Sequence, residues 1–332
     1  MAKSRVFIRT AIGKPIESVV AHVMDLCQWR EIVPQGATVV VKPNLCTPSR
    51  EIIETANVSA EVLEAVCKIL ATRAGRVVIG ESDGVRYSAE EAFEMSGTYE
   101  VARRVGVEVR SFTRDELVPV DHPHLKGWNL PRTLLEADVF VTVAKIKTHA
   151  TTAYTGALKN QWGCIPQRDR IILHKYLHTL IGDINRILRP RLAVIDGLVG
   201  MEGRGPINGR PVKLGVIAAG RDIVAVDASC MRFVGLDPYT ARHIVHAAAI
   251  GLGSIAEEEI EVDADCVACK RFLPAEADWP IRAMNLITKS EFLTRHLLLN
   301  DSIFFPARWF ANFCRRLKAG VLGGESQDRR LS

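Results

Sequence analysis

The feature that most constrains this chain is a rhythm: short, uninterrupted β-branched runs alternate with longer stretches of helical period. The runs are Val6–Arg9, Thr38–Lys42, Val77–Gly80, Val107–Phe112, Val139–Ala144, Leu192–Ile195 and Val212–Ala218. Apolar residues recur at helical spacing over Ile16–Trp29, Ala60–Thr72, Ala89–Met95, Leu173–Leu188, Val226–Val234 and Tyr239–Ile250. A strand that is apolar throughout has no side to turn to water, so it belongs in a sheet covered on both faces. The alternation predicts an α/β fold: a mostly parallel, doubly wound sheet with helices on both faces. After residue 262 the rhythm stops. The expected division is an α/β domain over 1–262 and a C-terminal helical extension over 263–332, ending in a polar tail from Gly323.

In open α/β sheets ligands bind beyond the carboxyl ends of the strands, so the residues following each run are the candidates. Lys42 and Asn44 follow the second run, and Glu81–Gly84 the third. Lys145, Lys147 and His149 follow the fifth. Asp196 follows the sixth, and then come Glu202, Gly203, Gly205 and Pro206. A stretch rich in Thr, Gly, Lys and Arg, 147–170, interrupts the rhythm as functional loops do. Its cations suit a carboxylate or phosphate, and its glycines let backbone N–H groups come close to one.

Lys147, His149, Lys159 and Asn160 are therefore expected to converge on one cleft, facing Lys42 and the Asp196–Pro206 loop. Lys147, His149, Lys159, Asp196 and Glu202 are the candidates for catalysis. Lys42, Asn44, Thr155, Gly156, Asn160, Gly203 and Gly205 are the candidates for holding substrate. Asp227 is read as the cap of the helix that follows it. His174 and His178 stand four residues apart on a helix, a spacing that suits a divalent metal, and His149 with His174 is the candidate ligand pair. The chain holds no Walker loop, GxGxxG fingerprint, GxSxG elbow or HExxH helix.

The net charge of +5 comes without a dense basic run interleaved with aromatics, which argues against nucleic acid. It suits a small anionic metabolite or an anionic membrane surface. No apolar run approaches the roughly 18 residues that span a bilayer, and the first residues lack a signal-peptide core, so a cytoplasmic location is expected. Ile303–Lys318 reads as an amphipathic helix, with Trp309, Phe310, Phe313, Cys314 and Leu317 on one face. That face is expected to meet a membrane interface or to dock on protein. Of the eight cysteines only Cys266 and Cys269 form a CxxC pair. An iron–sulfur cluster usually takes four thiolates, so none is expected on that pair alone.

Several segments together carry a family resemblance: VVVKPNL at 39–45, VVIGESDG at 77–84, KIKTH at 145–149 and TGALKNQWGCIP at 155–166. The series continues with His174, the run RPRLAVIDGLVGMEGRGPINGRP at 189–211, and Asp222 to Asp227. In this order they resemble the proteins of domain of unknown function 362, over about residues 38–253. The resemblance implies a prokaryotic α/β protein, with redox chemistry and a redox partner protein for those relatives that carry two four-cysteine iron–sulfur motifs. This chain lacks a CxxCxxC run. Three readings follow: an enzyme acting on a small anionic substrate, an accessory module that binds a metabolite or cofactor without catalysis, and a peripheral membrane scaffold.

Overall fold

The computed structural model describes residues 3–268, 270–307 and 309–311. The strands are β1 (Ser4–Thr10), β2 (Thr38–Pro43), β3 (Arg76–Glu81), β4 (Glu108–Ser111), β5 (Leu117–Pro119), β6 (Asn129–Pro131), β7 (Val139–His149), β8 (Ala153–Tyr154), β9 (Leu192–Glu202), β10 (Arg210–Gly220) and β11 (Ile260–Ala264). Among the described residues the main sheet has nine strands, in the order β11-β1-β10-β9-β7-β2-β3-β4, with β8 folded back on β7. From β9 to β4 every neighbour is parallel; β10 runs antiparallel to both β9 and β1. The sheet is thus mostly parallel, as its apolar strands require.

The helices that matter here are α1 (Ile16–Leu26), α2 (Ala60–Ala71), α3 (Ala89–Met95), α4 (Thr98–Val105), α5 (Gly156–Asn160), α6 (Leu177–Leu188), α7 (Ile223–Phe233) and α8 (Arg242–Ala249). Their starts follow local chemistry. The Ser59 hydroxyl accepts the Val62 N–H ahead of α2, and Ser88 with Glu91 forms a reciprocal capping box on α3. On one face, Val39, Val41, Val139, Val141, Val143 and Val194 pack against Val20 and Val23 of α1 and Val62 and Val66 of α2. Each is almost wholly removed from water, and burial of such side chains stabilises by about 1.5–3 kcal/mol apiece.

Several expectations need correction. The strand expected over Val139–Ala144 runs on to His149, and the one expected to stop at Ile195 runs to Glu202. Lys145, Lys147, His149 and Asp196 therefore lie within strands, not after them, held because β7 and β9 keep pairing as far as Lys147 and Met201. The helix expected from Leu173 begins at Leu177, after 3-10 turns. Asp227 does not cap α7: Asp222 does, accepting the Val224 and Ala225 N–H groups, while Asp227 lies buried in mid-helix.

The chain divides into two compact units, residues 1–170 with 176–276, and 171–175 with 277–332. The first continues beyond residue 262 because β11 pairs with β1, and Lys270 and Leu273 close on Glu202. Within the second, Trp279–Ile287 is a helix capped by the Asp278 carboxylate, and residues 301–307 and 309–311 are helical. The remainder of the expected Ile303–Lys318 helix, Arg308 and 312–318, lies outside the described residues, as does Cys269.

Candidate functional site

The polar centre of the first unit forms where α5 meets the ends of β7 and β9, beside β2. Asn160, the last residue of α5, fastens the helix to the sheet. Its Nδ2 donates to Lys42 O at 3.0 Å and Thr142 Oγ1 at 2.9 Å, and its Oδ1 accepts from Lys42 Nζ at 3.2 Å and Asn44 Nδ2 at 3.3 Å. Lys42 Nζ also donates to Glu81 Oε2 at 2.6 Å, a pair almost wholly shielded from water. The backbone of Gly163 covers that pair. A Cβ there would lie 2.6 Å from Glu81 Oε1 and 2.9 Å from Lys42 Nζ. Gly163→Ala is expected to cost about 1–3 kcal/mol, read as a lower Tm, because neither ion can retreat without losing its partner.

Alternate residues of β7 point the same way. Lys145 donates to Asp196 Oδ2 at 2.9 Å, across directly paired positions of β7 and β9. Asp196 also accepts the Ser59 N–H at 2.8 Å and the Leu198 N–H at 2.9 Å. Lys147 donates to Ala56 O at 2.6 Å and Cys46 Sγ at 3.1 Å, and burial pulls its ammonium below the ordinary lysine range. His149 Nδ1 accepts the Thr151 N–H at 3.1 Å and the Thr152 N–H at 3.4 Å, which puts the proton of the neutral ring on Nε2.

Lys159 differs from these cations. Among the described residues, Lys42, Lys145, Lys147 and Arg170 each have a carboxylate, carbonyl or thiol partner, and the half-buried Lys159 amine has none. Burial and the positive charges of Lys147, Arg170 and Lys42 push it down to about 7. His243, on α8, lies within the electrostatic reach of Lys159 and His178. Burial lowers His243 to about 3, so its ring is neutral, and neither ring nitrogen has a hydrogen-bond partner. The Thr155 hydroxyl and the Asn44 and Gln161 side-chain oxygens are also buried without partners. Buried polar atoms left unpaired are uncommon, and a ligand is one thing that satisfies them.

Asp227 sets the position of α5. Its Oδ1 accepts the Ala157 N–H at 2.6 Å and its Oδ2 the Leu158 N–H at 2.8 Å. Burial pushes its carboxyl up to about 7, against the pull of those two hydrogen bonds. Gly156 makes this approach possible: its φ is +57°, and a Cβ would lie 2.1 Å from Asp227 Oδ1.

Direct bonds thus join Lys42, Asn44 and Asn160; charge links Lys147 to Lys159; and the Thr155 N–H donates to Lys147 O at 3.0 Å. Thr148 Oγ1 donates to Gly203 O at 2.9 Å and the Ala150 N–H to Gly205 O at 3.0 Å, so the 203–206 loop closes on the end of β7. Asp196 and Glu202 stand apart from Lys159 in their bonding. Glu202 accepts from Lys270 Nζ at 2.5 Å and the Leu273 N–H at 2.8 Å. Burial raises the Glu202 carboxyl, but these bonds outweigh it and hold the group below the usual range. His149 belongs to the first compact unit and His174 to the second. Reasoning from sequence missed His243 and took Asp227 for a helix cap; Glu81 stood among the strand-end candidates, but its pairing with Lys42 was not foreseen. For Asp227 the available signal was its place in the apolar run IVAVDASC, where a carboxylate is buried only with a partner.

Comparison with known proteins agrees with the shared segments. A thylakoid-associated protein of Synechocystis sp. is 28% identical over 236 residues, which are 68% of this chain and 72% of that protein. The lactate racemase apoprotein of Thermoanaerobacterium thermosaccharolyticum is similar in structure at a TM-score of 0.47 and 12% identity. The match takes in 69% of this chain and only 56% of the racemase. The family described as domain of unknown function (DUF362) matches residues 39–232, and those residues hold β2, β7, β9, α5 and every candidate side chain except His243; the chain belongs to that family.

Proposed function

We propose that this protein is an enzyme acting on a small anionic metabolite, with Lys159 as the reacting amine. The observation that carries the reading is Lys159 itself: an amine without a partner among the described residues, pushed down to about 7 by burial and by the cations around it. A neutral amine can accept a proton from a substrate or add to a carbonyl carbon, and a group titrating near the working pH does either most effectively. Lys147 and Arg170 supply positive charge for the substrate's carboxylate or phosphate, and an anion lying among these cations would relieve their repulsion. Asn160 and Asp227 position α5. Asp196 and Glu202 serve as partners to Lys145 and Lys270, which supports a structural role for them over the acid–base one expected from sequence.

The test is covalent capture. The full chain is incubated at pH 7 with glyoxylate and cyanoborohydride, and the adduct is mapped by mass spectrometry. A lysine titrating near 7 is about half neutral there. An ordinary one at 10.5 is neutral to roughly 0.03%; the lower basicity of Lys159 offsets part of that advantage, and Lys159 should be modified roughly 10–100-fold faster. Labelling spread over surface lysines, with Lys159 no faster, overturns the reading.

A second reading concerns location. Among the described residues no helix is long and apolar enough to cross a membrane. The second unit exposes Trp279, Leu286, Phe292, Trp309 and Phe310, and the relative from Synechocystis is described as thylakoid-associated. These support peripheral contact with an anionic bilayer, which aromatic side chains favour at the interface. Flotation with vesicles containing anionic lipid should carry the full chain upward and leave a Trp309→Ser/Phe310→Ser variant behind. Equal flotation of both overturns it.

A further inference from the structure

Away from Lys159, three groups of metal-ligating type meet on the first unit. His122 and His124 come from the loop before β6, and Asp183 from α6. One ligand atom from each can be chosen so that all three lie within 4.8 Å of one another. His122 Nε2 is 3.3 Å from Asp183 Oδ2. On the other side of the carboxylate, His246 Nε2 of α8 is 3.6 Å from Asp183 Oδ1.

Each ring is held in place. His124 stacks on Tyr176, with ring centroids 4.1 Å apart and planes 11° from parallel. His246 lies against Gly182, where a Cβ would come within 2.7 Å of its Cδ2. The loop is set by Pro123, and the His124 N–H donates to His122 Nδ1 at 3.3 Å. Two nitrogens remain unsatisfied: His124 Nδ1 and His246 Nε2 are buried with no hydrogen-bond partner. His124, its ring fixed by stacking and a buried ring nitrogen left unpaired beside a carboxylate and a second imidazole, is what a ligand without its ion looks like.

We infer that His122, His124 and Asp183 bind a divalent transition-metal ion of the zinc, cobalt or ferrous class. The donor set is two imidazoles and one carboxylate, which suits these borderline ions over Mg²⁺ or Ca²⁺. Ligands about 2.0–2.1 Å from such an ion lie roughly 3.0–3.4 Å from one another. The 3.3 Å separation of His122 and Asp183 already meets that spacing, and the set need contract by no more than about 1.5 Å. On binding, the His122 proton moves from Nε2 to Nδ1, and the long bond from the His124 N–H is given up. His246 stays on the second carboxylate oxygen and orients it. With three protein ligands the remaining coordination positions are open to water or a small ligand, and the His122 and Asp183 side chains, 18% and 17% exposed, leave the ion a narrow way in. This inference stands independently of the role of Lys159.

The test uses the full chain, stripped with a chelator and titrated calorimetrically with Zn²⁺ and with Co²⁺. One site is expected, weakened at least tenfold by Asp183→Asn and by His124→Gln, and unchanged in Lys159→Met. His246→Gln should weaken it by a smaller factor. Absence of binding, or equal affinity in wild type, Asp183→Asn and His124→Gln, overturns the proposal. Should Asp183→Asn fail to fold, X-ray absorption of the zinc-loaded wild type decides. A first shell of two imidazoles completed by oxygen supports the site, and a shell containing sulfur overturns it.

Discussion

Lys159→Met is expected to stabilise the fold while removing the fast-reacting site for glyoxylate. An amine held among Lys147, Arg170 and Lys42 with no partner among the described residues is an unfavourable group to fold around. Methionine keeps most of its volume and removes the charge. The gain at pH 6 should be about 1–3 kcal/mol, less than the whole shift corresponds to because the side chain is only half-buried. Its pH dependence follows from linkage. The folded protein holds the Lys159 proton less tightly than the unfolded chain does. The destabilisation is therefore fully present below about 7 and fades as pH rises from there towards 10.5. The Tm difference between variant and wild type should be largest below pH 7 and shrink above it. A variant less stable than wild type at pH 6 would mean that the ammonium has a stabilising partner in the fold.

Asp196→Ala is expected to lower stability by about 3–5 kcal/mol, enough to unfold many domains at 37 °C. The substitution leaves Lys145, 1% exposed, as a buried charge without its carboxylate, and strands the Ser59 and Leu198 N–H groups. Replacing both ions, Lys145→Met with Asp196→Leu, should recover much of the loss, because two apolar side chains remove the unpaired charge. Chemical denaturation of the single and double variants measures this. If Asp196→Ala keeps wild-type stability and loses only the glyoxylate reaction, Asp196 is an acid–base group after all, as its place near a strand end first suggested.

The sheet was legible because its strands are apolar on both faces, a pattern that little else produces. Strand ends were less legible. Lys145, Lys147 and Asp196 are charged, and charge ordinarily marks the turn to solvent. Here each of these charges has a partner from another strand or loop, and only the tertiary fold supplies that partner. The 155–160 segment stood out by its Gly, Lys and Asn residues, and its geometry follows from Gly156 and Asn160. Its anchor was hidden, since a carboxylate 71 residues downstream of Gly156 holds α5 from the middle of another helix. His243 was equally hidden: ARHIVHAAA reads as an ordinary half-buried helix. The cluster of His122, His124 and Asp183 joins residues more than fifty positions apart with no ligand motif to connect them.

The account rests on the protonation state of Lys159, and the pH–rate profile of its modification measures that directly. The full chain is labelled with limiting dinitrofluorobenzene across the pH range, and the Lys159 peptide is quantified against surface lysines such as Lys126. The account predicts a Lys159 rate with its midpoint near 7, levelling off while the surface lysines are still rising. A Lys159 profile that climbs with the others towards 10.5 would show an ordinary ammonium and contradict it.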